Sequence, residues 1–337
     1  MWPWTPALHR GKKLTSFENH AKRRYGRELA PRWQAGSASA LGTLAILALA
    51  CTPPDRPARV LEPLPEELLS YLGADSVRSL SLHDGLSYHF VWSEKGPWAV
   101  HVLRVDLNRC DLGLRVLPAG DVGLYGAGLA TVTDLVREAG GGVLAAVNGD
   151  FFTSEGRPLG PEVAWGRMLW SRERPALEWT PGRPPWIGTV HRERNGLSAG
   201  AWVSRAQPGR TQMIGGYPEL LDAGATLTNE TWDSDQAFAS LRHPRTAVAY
   251  DPEARLLWVL VVDGRQGSYS SGMTLAEMTA ALAATDADEA LNLDGGGSSV
   301  MVVQGRTVSR PSDEEGERPV RNALAVVSDP AFCRAAP

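Results

Sequence analysis

Hydrophobic and polar positions alternate between three textures along the chain. Residues 38–50 form an uncharged run of small and apolar side chains, ASALGTLAILALA, preceded by a basic stretch and followed by Cys51 and a Pro-rich segment. Glu66–Leu72 reads as a short helix stopped by Gly73. From Leu86 the texture becomes that of strands. Tyr88–Trp92 and Trp98–Leu107, separated by Ser93–Pro97, predict a hairpin, and Leu112–Leu117 continues the strand character. Thr131–Asp134 opens a helix that ends at Gly140-Gly141-Gly142.

Val143–Val147 and Ala290–Leu293 are short continuous apolar runs, the pattern of strands covered on both faces. Arg245–Tyr250 and Leu256–Val262 flank the turn residues Asp251-Pro252-Glu253-Ala254, a second hairpin. Thr274–Glu277 is a capping box that opens a helix running to about Thr285. Val300–Val303 and Thr307–Ser309 make a third hairpin around Gln304-Gly305-Arg306, and Ala323–Val327 is a final strand. Residues 153–240 show no clean period. They read as strands and long loops forming one wall of a site. The prediction is an α+β fold: a mixed, largely antiparallel sheet with a few packed helices in one domain over 97–330. An N-terminal extension over 66–96 and a tether over 52–65 precede it.

Charge sharpens the reading of the N-terminus. The chain has 337 residues and a formal net charge of −4, yet residues 1–36 hold eight basic residues against two acidic ones. The leader is therefore +6 and the rest of the chain −10. A body this acidic is not built to bind nucleic acid, whose phosphates need a basic footprint. The apolar run is shorter than the ~20 residues of a spanning helix and fits the core of an export signal. Ala48-Leu49-Ala50 fits a cleavage site, and Cys51 directly after it fits a lipoprotein signal, with Ala48 where Leu is usual. Residues 1–51 are thus expected to be an export signal, leaving the protein secreted or lipid-anchored at Cys51 in a bacterial cell envelope. Cys110 and Cys333 then remain, either as one disulfide or as two buried thiols.

Three predicted strand ends run into polar, Gly-bearing loops: Asn148-Gly149-Asp150, Asp263-Gly264-Arg265 and Asp294-Gly295-Gly296-Gly297-Ser298-Ser299. Buried strands deliver carboxylates and amides to one sheet edge in this way. Consecutive glycines let backbone N–H groups approach an anion or a sugar closely. A single Asp-Gly is an ordinary turn. The loop after Asp294 is longer than a turn requires. It has neither the Lys-Ser/Thr of a phosphate loop nor the frame of a nucleophile elbow.

The run Asn292-Leu293-Asp294-Gly295-Gly296-Gly297-Ser298-Ser299 resembles the signature of the phosphodiester glycosidase family. Asn148-Gly149-Asp150-Phe151-Phe152, Pro244-Arg245-Thr246-Ala247-Val248, Asp263-Gly264-Arg265, Ser271-Gly272-Met273-Thr274 and Pro311-Ser312-Asp313 match its other motifs in order. The resemblance covers about residues 97–328 and implies that 97–330 is the catalytic domain. It further implies hydrolysis of a sugar joined through its anomeric carbon to a phosphodiester, releasing free sugar and a phosphomonoester. The family tolerates Gly at position 150, so the resemblance does not make Asp150 the essential carboxylate.

An oxocarbenium-like transition state requires a carboxylate near C1. Asp294 is the first candidate and Asp263 the second. Charge on the leaving phosphate calls for arginine: Arg245 first, then Arg265 and Arg321. The N–H groups of Gly295, Gly296 and Gly297 add to this, with Ser298 beside them. His243 is a candidate proton donor or an exposed loop histidine. Asn148 and Asn292 either bind sugar hydroxyls or cap local turns, and Gly149 and Asp150 belong to the same substrate-binding set. Of the tryptophans at 165, 170, 179, 186, 202 and 232, some suit sugar stacking and most suit a core.

No metal motif is present, and no cofactor is expected. Asp150, Asp263 and Asp294 are of the type that holds Ca2+, but their spacing does not demand it. The expected partner is a carbohydrate phosphodiester in a wall polymer, exopolysaccharide or glycan; the membrane enters only through a lipid anchor. Two competing readings are a non-catalytic carbohydrate-binding lipoprotein and a serine hydrolase using Ser298 or Ser299.

Overall fold

The computed structural model describes residues 61–120, 128–193, 196–198, 209–228 and 236–335. The expected signal, Cys51, most of the tether, Trp202 and Trp232 lie outside the described residues.

Two sheets stack face to face. The larger has eight strands in the order β1 (Ser76–His83), β2 (Leu86–Ser93), β3 (Trp98–Asp106), β15 (Leu256–Val262), β14 (Arg245–Asp251), β16 (Glu289–Asn292), β12 (Glu219–Asp222) and β13 (Ala225–Thr226). The smaller has five: β18 (Arg306–Thr307), β17 (Met301–Val303), β5 (Val143–Asn148), β19 (Asn322–Ser328) and β4 (Leu112–Pro118). A further six-stranded sheet is built from the region that lacked a clean period. Its order is β10 (Gly196–Ser198), β9 (Trp186–Glu193), β8 (Arg174–Trp179), β11 (Gln212–Gly215), β6 (Glu162–Ala164) and β7 (Arg167–Trp170). Strand pairs in all three sheets are antiparallel.

Alternate side chains explain why the central strands read as unbroken apolar runs. On β14, Val248 and Tyr250 face the shared interior of the three sheets, while Ala247 and Ala249 face a second core. Helices α1 (Glu66–Leu72) and α4 (Leu275–Ala283) cover that second core. On β19, Leu324 and Val326 face the shared interior, while Ala323, Ala325 and Val327 face α2 (Val132–Ala139). Both faces of each strand are therefore buried, and period-two polarity disappears from the sequence. The helices form where their caps predict. Thr131 accepts from Asp134 N at the start of α2, the Thr274–Glu277 capping box opens α4, and Gly73 ends α1 in the left-handed region at φ 60°.

β1 was not read from the sequence. It is an edge strand with solvent on both faces, and Val77 and Leu80 are 43% and 49% exposed. Only Leu82 near its end is buried in the core, so the strand carries no apolar period to detect. Residues 66–96 contribute α1 and two strands that extend the larger sheet through β3. Cys110 and Cys333 form a disulfide with Cα atoms 4.7 Å apart, fastening the β3–β4 turn to the C-terminal segment.

Candidate active site

The ends of β5 and β16 meet where the two stacked sheets join. Asn148 is the joint. Its Nδ2 donates to Asp294 O (2.6 Å), and its Oδ1 accepts from Thr246 Oγ1 (2.7 Å) and Val300 N (3.1 Å). Asp294 N donates back to Gly149 O (2.9 Å). The amide of Asn148 is fully buried and ties the sheets together, instead of presenting itself to a sugar. Asn292 is likewise buried, donating to Tyr217 O and Leu293 O (2.7 and 2.8 Å) while its Oδ1 has no partner.

Gly149 is required by packing. A Cβ there would lie 2.2 Å from Asn322 Oδ1, the atom that accepts from Asp150 N at 2.9 Å. Asp150 is consequently driven into a buried pocket. Its Oδ2 accepts from Gly160 N (2.6 Å) and abuts Gly215, while its Oδ1 has no partner. Burial pushes the Asp150 carboxyl up to about 7, and the charge of Asp294 adds to the rise.

Asp294 lies at the rim of the glycine loop, partly exposed, and accepts from Gly295 N at 2.8 Å. Burial pushes its carboxyl up to about 6, against Ser298, the Gly295 N–H, Arg318 and Arg174, all of which favour the anion. Gly297 has no room for a side chain, because Arg318 and Asp313 occupy the space a Cβ would take. Arg318 pairs with Asp313 at 2.8 Å. Gly296 (φ +61°) backs onto the guanidinium of Arg265, which sits at φ +59°. A non-glycine residue in the left-handed region is strained, a feature common at functional loops. Arg265 Nη2 meets His243 Nδ1 at 3.2 Å. Burial, Arg245 and Arg265 lower the proton affinity of His243, so at neutral pH it is uncharged and a weak source of protons.

Several predicted residues stand elsewhere. Asp263 is buried, with both oxygens occupied: Arg310 N donates to Oδ1 (2.9 Å), while His101 Nε2 and Tyr269 OH lie 3.1 Å from Oδ2. It anchors the loops carrying Arg265 and Asp313 and offers no free oxygen to a substrate. Arg245 donates to the carbonyls of Met273 (2.9 Å), Phe238 (2.6 Å) and Leu241 (3.1 Å) and is 1% exposed. It clamps helix α3 (Gln236–Ser240) onto β14. Arg321 is buried against Glu162 (3.2 Å) and Ala119 O (2.7 Å). Ser298 and Ser299 are buried, and neither hydroxyl has a histidine partner, an arrangement that lacks the base a serine nucleophile needs. Trp179 is core, whereas Trp165 is 49% exposed with Arg115 stacked 4.3 Å from its ring centre.

Sequence reasoning missed Arg174, Arg318, Tyr217 and Asn322. Asn322 directly precedes the predicted last strand, and Arg318 lies five residues after the matched Asp313. No local signal marks Arg174 and Tyr217, because they reach the site only when β8 and the β11–β12 connection fold against the ends of β5 and β16.

The family model described as phosphodiester glycosidase matches residues 141–327. Two relatives are named N-acetylglucosamine-1-phosphodiester alpha-N-acetylglucosaminidase. The one from Bos taurus is 30% identical over 217 residues, covering 58% of this chain and 37% of that protein. The one from Mus musculus is 31% identical over 208 residues, covering 58% and 38%. The chain thus spans well under half the length of the curated relatives it matches. The fold is shared with the zebrafish catalytic domain of the same name, in a structure auto-inhibited by its pro-peptide (TM-score 0.58, 22% identity, 75% of this chain and 88% of that one). It is also shared with a hypothetical protein from Synechocystis (TM-score 0.60, 19% identity, 76% and 64%). With the matched region including both strand ends that carry Asn148 and Asp294, the chain belongs to the phosphodiester glycosidase family.

Proposed function

We propose that this protein is an exported hydrolase of sugar-1-phosphodiesters. It cleaves the bond between the anomeric carbon and the phosphate oxygen and releases free sugar and a phosphomonoester. The observation that carries this reading is Asp294: a carboxylate at the rim of a three-glycine loop, within the field of Arg318 and Arg174, in a loop whose Gly296 backs onto the guanidinium of Arg265. An anionic group below C1 stabilises the positive charge that develops on the sugar. Positive charge along the same rim balances the charge that develops on the phosphate. A phosphomonoester is a weak base with a pKa near ~6, so its departure needs charge neutralisation more than a proton. An uncharged His243 is compatible with that chemistry.

Export rests on the basic leader and the apolar run to Ala50, and is supported by the Cys110–Cys333 disulfide, a bond of oxidising compartments. Lipidation at Cys51 would hold the protein at the cell envelope, within reach of wall polymers or exopolysaccharides.

The test is incubation with N-acetylglucosamine-1-phospho-methyl ester, assaying reducing sugar and methyl phosphate. Both should appear together, and Asp294→Asn should reduce turnover by about 10³-fold or more with little change in melting temperature. Appearance of N-acetylglucosamine-1-phosphate would mean that the other phosphoester bond is cut. Full turnover by the Asp294→Asn variant would remove Asp294 from the chemistry.

A further inference from the structure

Arg174 is an arginine without an anion. It opens β8, where Pro175 O accepts from Gly216 N (2.9 Å) and so fixes the strand start beside the 215–218 connection. Its guanidinium carbon lies 5.3 Å from the ring centre of Phe151 and 4.9 Å from that of Tyr217. Its Nε is buried with no acceptor. Asp150 and Asp294 both exert their fields on it, but neither carboxylate is among the salt bridges of the described residues.

The other arginines around the site are occupied. Arg245 serves three main-chain carbonyls, Arg321 serves Glu162, and Arg318 serves Asp313. Arg265 reaches His243. Burying the Nε–H of a guanidinium without an acceptor is costly, and aromatic faces compensate for only part of that cost. The unmade hydrogen bonds point to an anionic ligand with planar, two-point acceptors.

We propose that Arg174 binds the phosphate of the substrate, gripping its two non-bridging oxygens from between Phe151 and Tyr217. This rests on the reading of the protein as a sugar-1-phosphodiester hydrolase and names the residue that sets its preference for a phosphate aglycone. In the net reaction water gives its OH to C1 and releases a proton. The electron pair of the C1–O bond stays on the phosphate oxygen, so a diester monoanion becomes a monoester dianion. The charge facing Arg174 grows by one as that bond breaks, so the contact strengthens toward the transition state. Phe151 and Tyr217 hold the fork in place, a geometry that lysine cannot reproduce.

The experiment uses the full chain with Arg174→Gln and Arg174→Lys and three probes. These are N-acetylglucosamine-1-phospho-methyl ester, the p-nitrophenyl glycoside of the same sugar, and methyl phosphate titrated calorimetrically. Assayed at about pH 8, where Asp294 remains ionised without Arg174, Arg174→Gln should lower kcat/KM for the phosphodiester by about 10²–10³-fold, lower it for the uncharged glycoside at least about tenfold less, and abolish methyl phosphate binding. Added guanidinium ion should restore part of the lost rate. Arg174→Lys keeps the charge that balances Asp150 and Asp294. It should melt near the wild type and still lose at least about tenfold on the phosphodiester, which keeps the test open if the Gln variant does not fold.

Equal losses on both substrates would make Arg174 a counterion only and overturn the proposal. So would undiminished phosphodiester turnover. If the wild type hydrolyses neither substrate, the functional reading fails. The titration alone then decides Arg174: binding lost in the variant upholds the anion site, and binding retained ends it.

Discussion

Asp150 and Asp294 retain their protons at pH values where a free aspartate is already ionised, and burial is the main cause for both. Such a group binds its proton more tightly in the folded than in the unfolded chain. Its stabilising contribution is therefore full below the ordinary value of 3.8 and is lost as pH rises through about 6 for Asp294 and about 7 for Asp150. Asparagine at 150 carries no charge at any pH and escapes that loss. Asp150→Asn should accordingly gain melting temperature relative to the wild type between pH 5 and pH 8, by a few degrees in scanning calorimetry. An unchanged difference between variant and wild type at the two pH values would mean that Asp150 is not titrating in that window. The motif Asn148-Gly149-Asp150 was legible in the sequence, but its division of labour was not. The amide of Asn148 faces inward and the carboxyl of Asp150 is buried because Asn322, distant in sequence, fills the space above Gly149.

At the scale of elements, the segment that precedes β14 and the loop that follows β15 are fixed by side chains that the sequence offered as catalysts. The Asp263 carboxylate holds the 310–313 loop through Arg310 N and leans on His101 of β3, while its main-chain carbonyl accepts from Ser270 Oγ. Removing its charge leaves His101 and Tyr269 without their anionic acceptor in a buried setting, which is costly. Asp263→Asn should lower stability by about 2–4 kcal/mol, read by denaturant unfolding. Because Arg265 and Arg310 lose their anchors, KM should rise more than kcat falls. A collapse of kcat at unchanged stability would instead return Asp263 to the chemistry. The α4 capping box and the hairpins were legible because their determinants lie within a few residues of one another. β1 and the six-stranded sheet were not, since an edge strand with a single buried residue and short strands in Pro- and Gly-rich chain show no period.

For the whole molecule, the two stacked sheets are flanked by helices, and one disulfide ties the C-terminal segment to the β3–β4 turn across 223 residues of chain. Closing so long a loop restricts the unfolded chain, and native disulfides typically contribute 2–4 kcal/mol. Reduction, or Cys110→Ala with Cys333→Ala, should lower the melting temperature by roughly 5–15 °C. Turnover at 25 °C should be retained, because the bond fastens the opposite end of β4 and β19 from Asn322. Loss of turnover in a variant that is still folded would show that the C-terminal segment supports the site.

The sequence by itself determined the apolar strands, the caps and turns that end them, and the three loops that deliver Asp150, Asp263 and Asp294 to strand ends. Each of those depends on neighbours in the chain. Only the tertiary structure decided which polar groups remain open. Asp263 is satisfied by His101, 162 residues away. Arg245 is consumed by the carbonyls of Phe238, Leu241 and Met273. Arg174 comes within the fields of Asp150 and Asp294 because separate strands meet there. A residue's chemistry at a site depends on what its hydrogen-bonding atoms are not already bound to, and those partners come from across the fold.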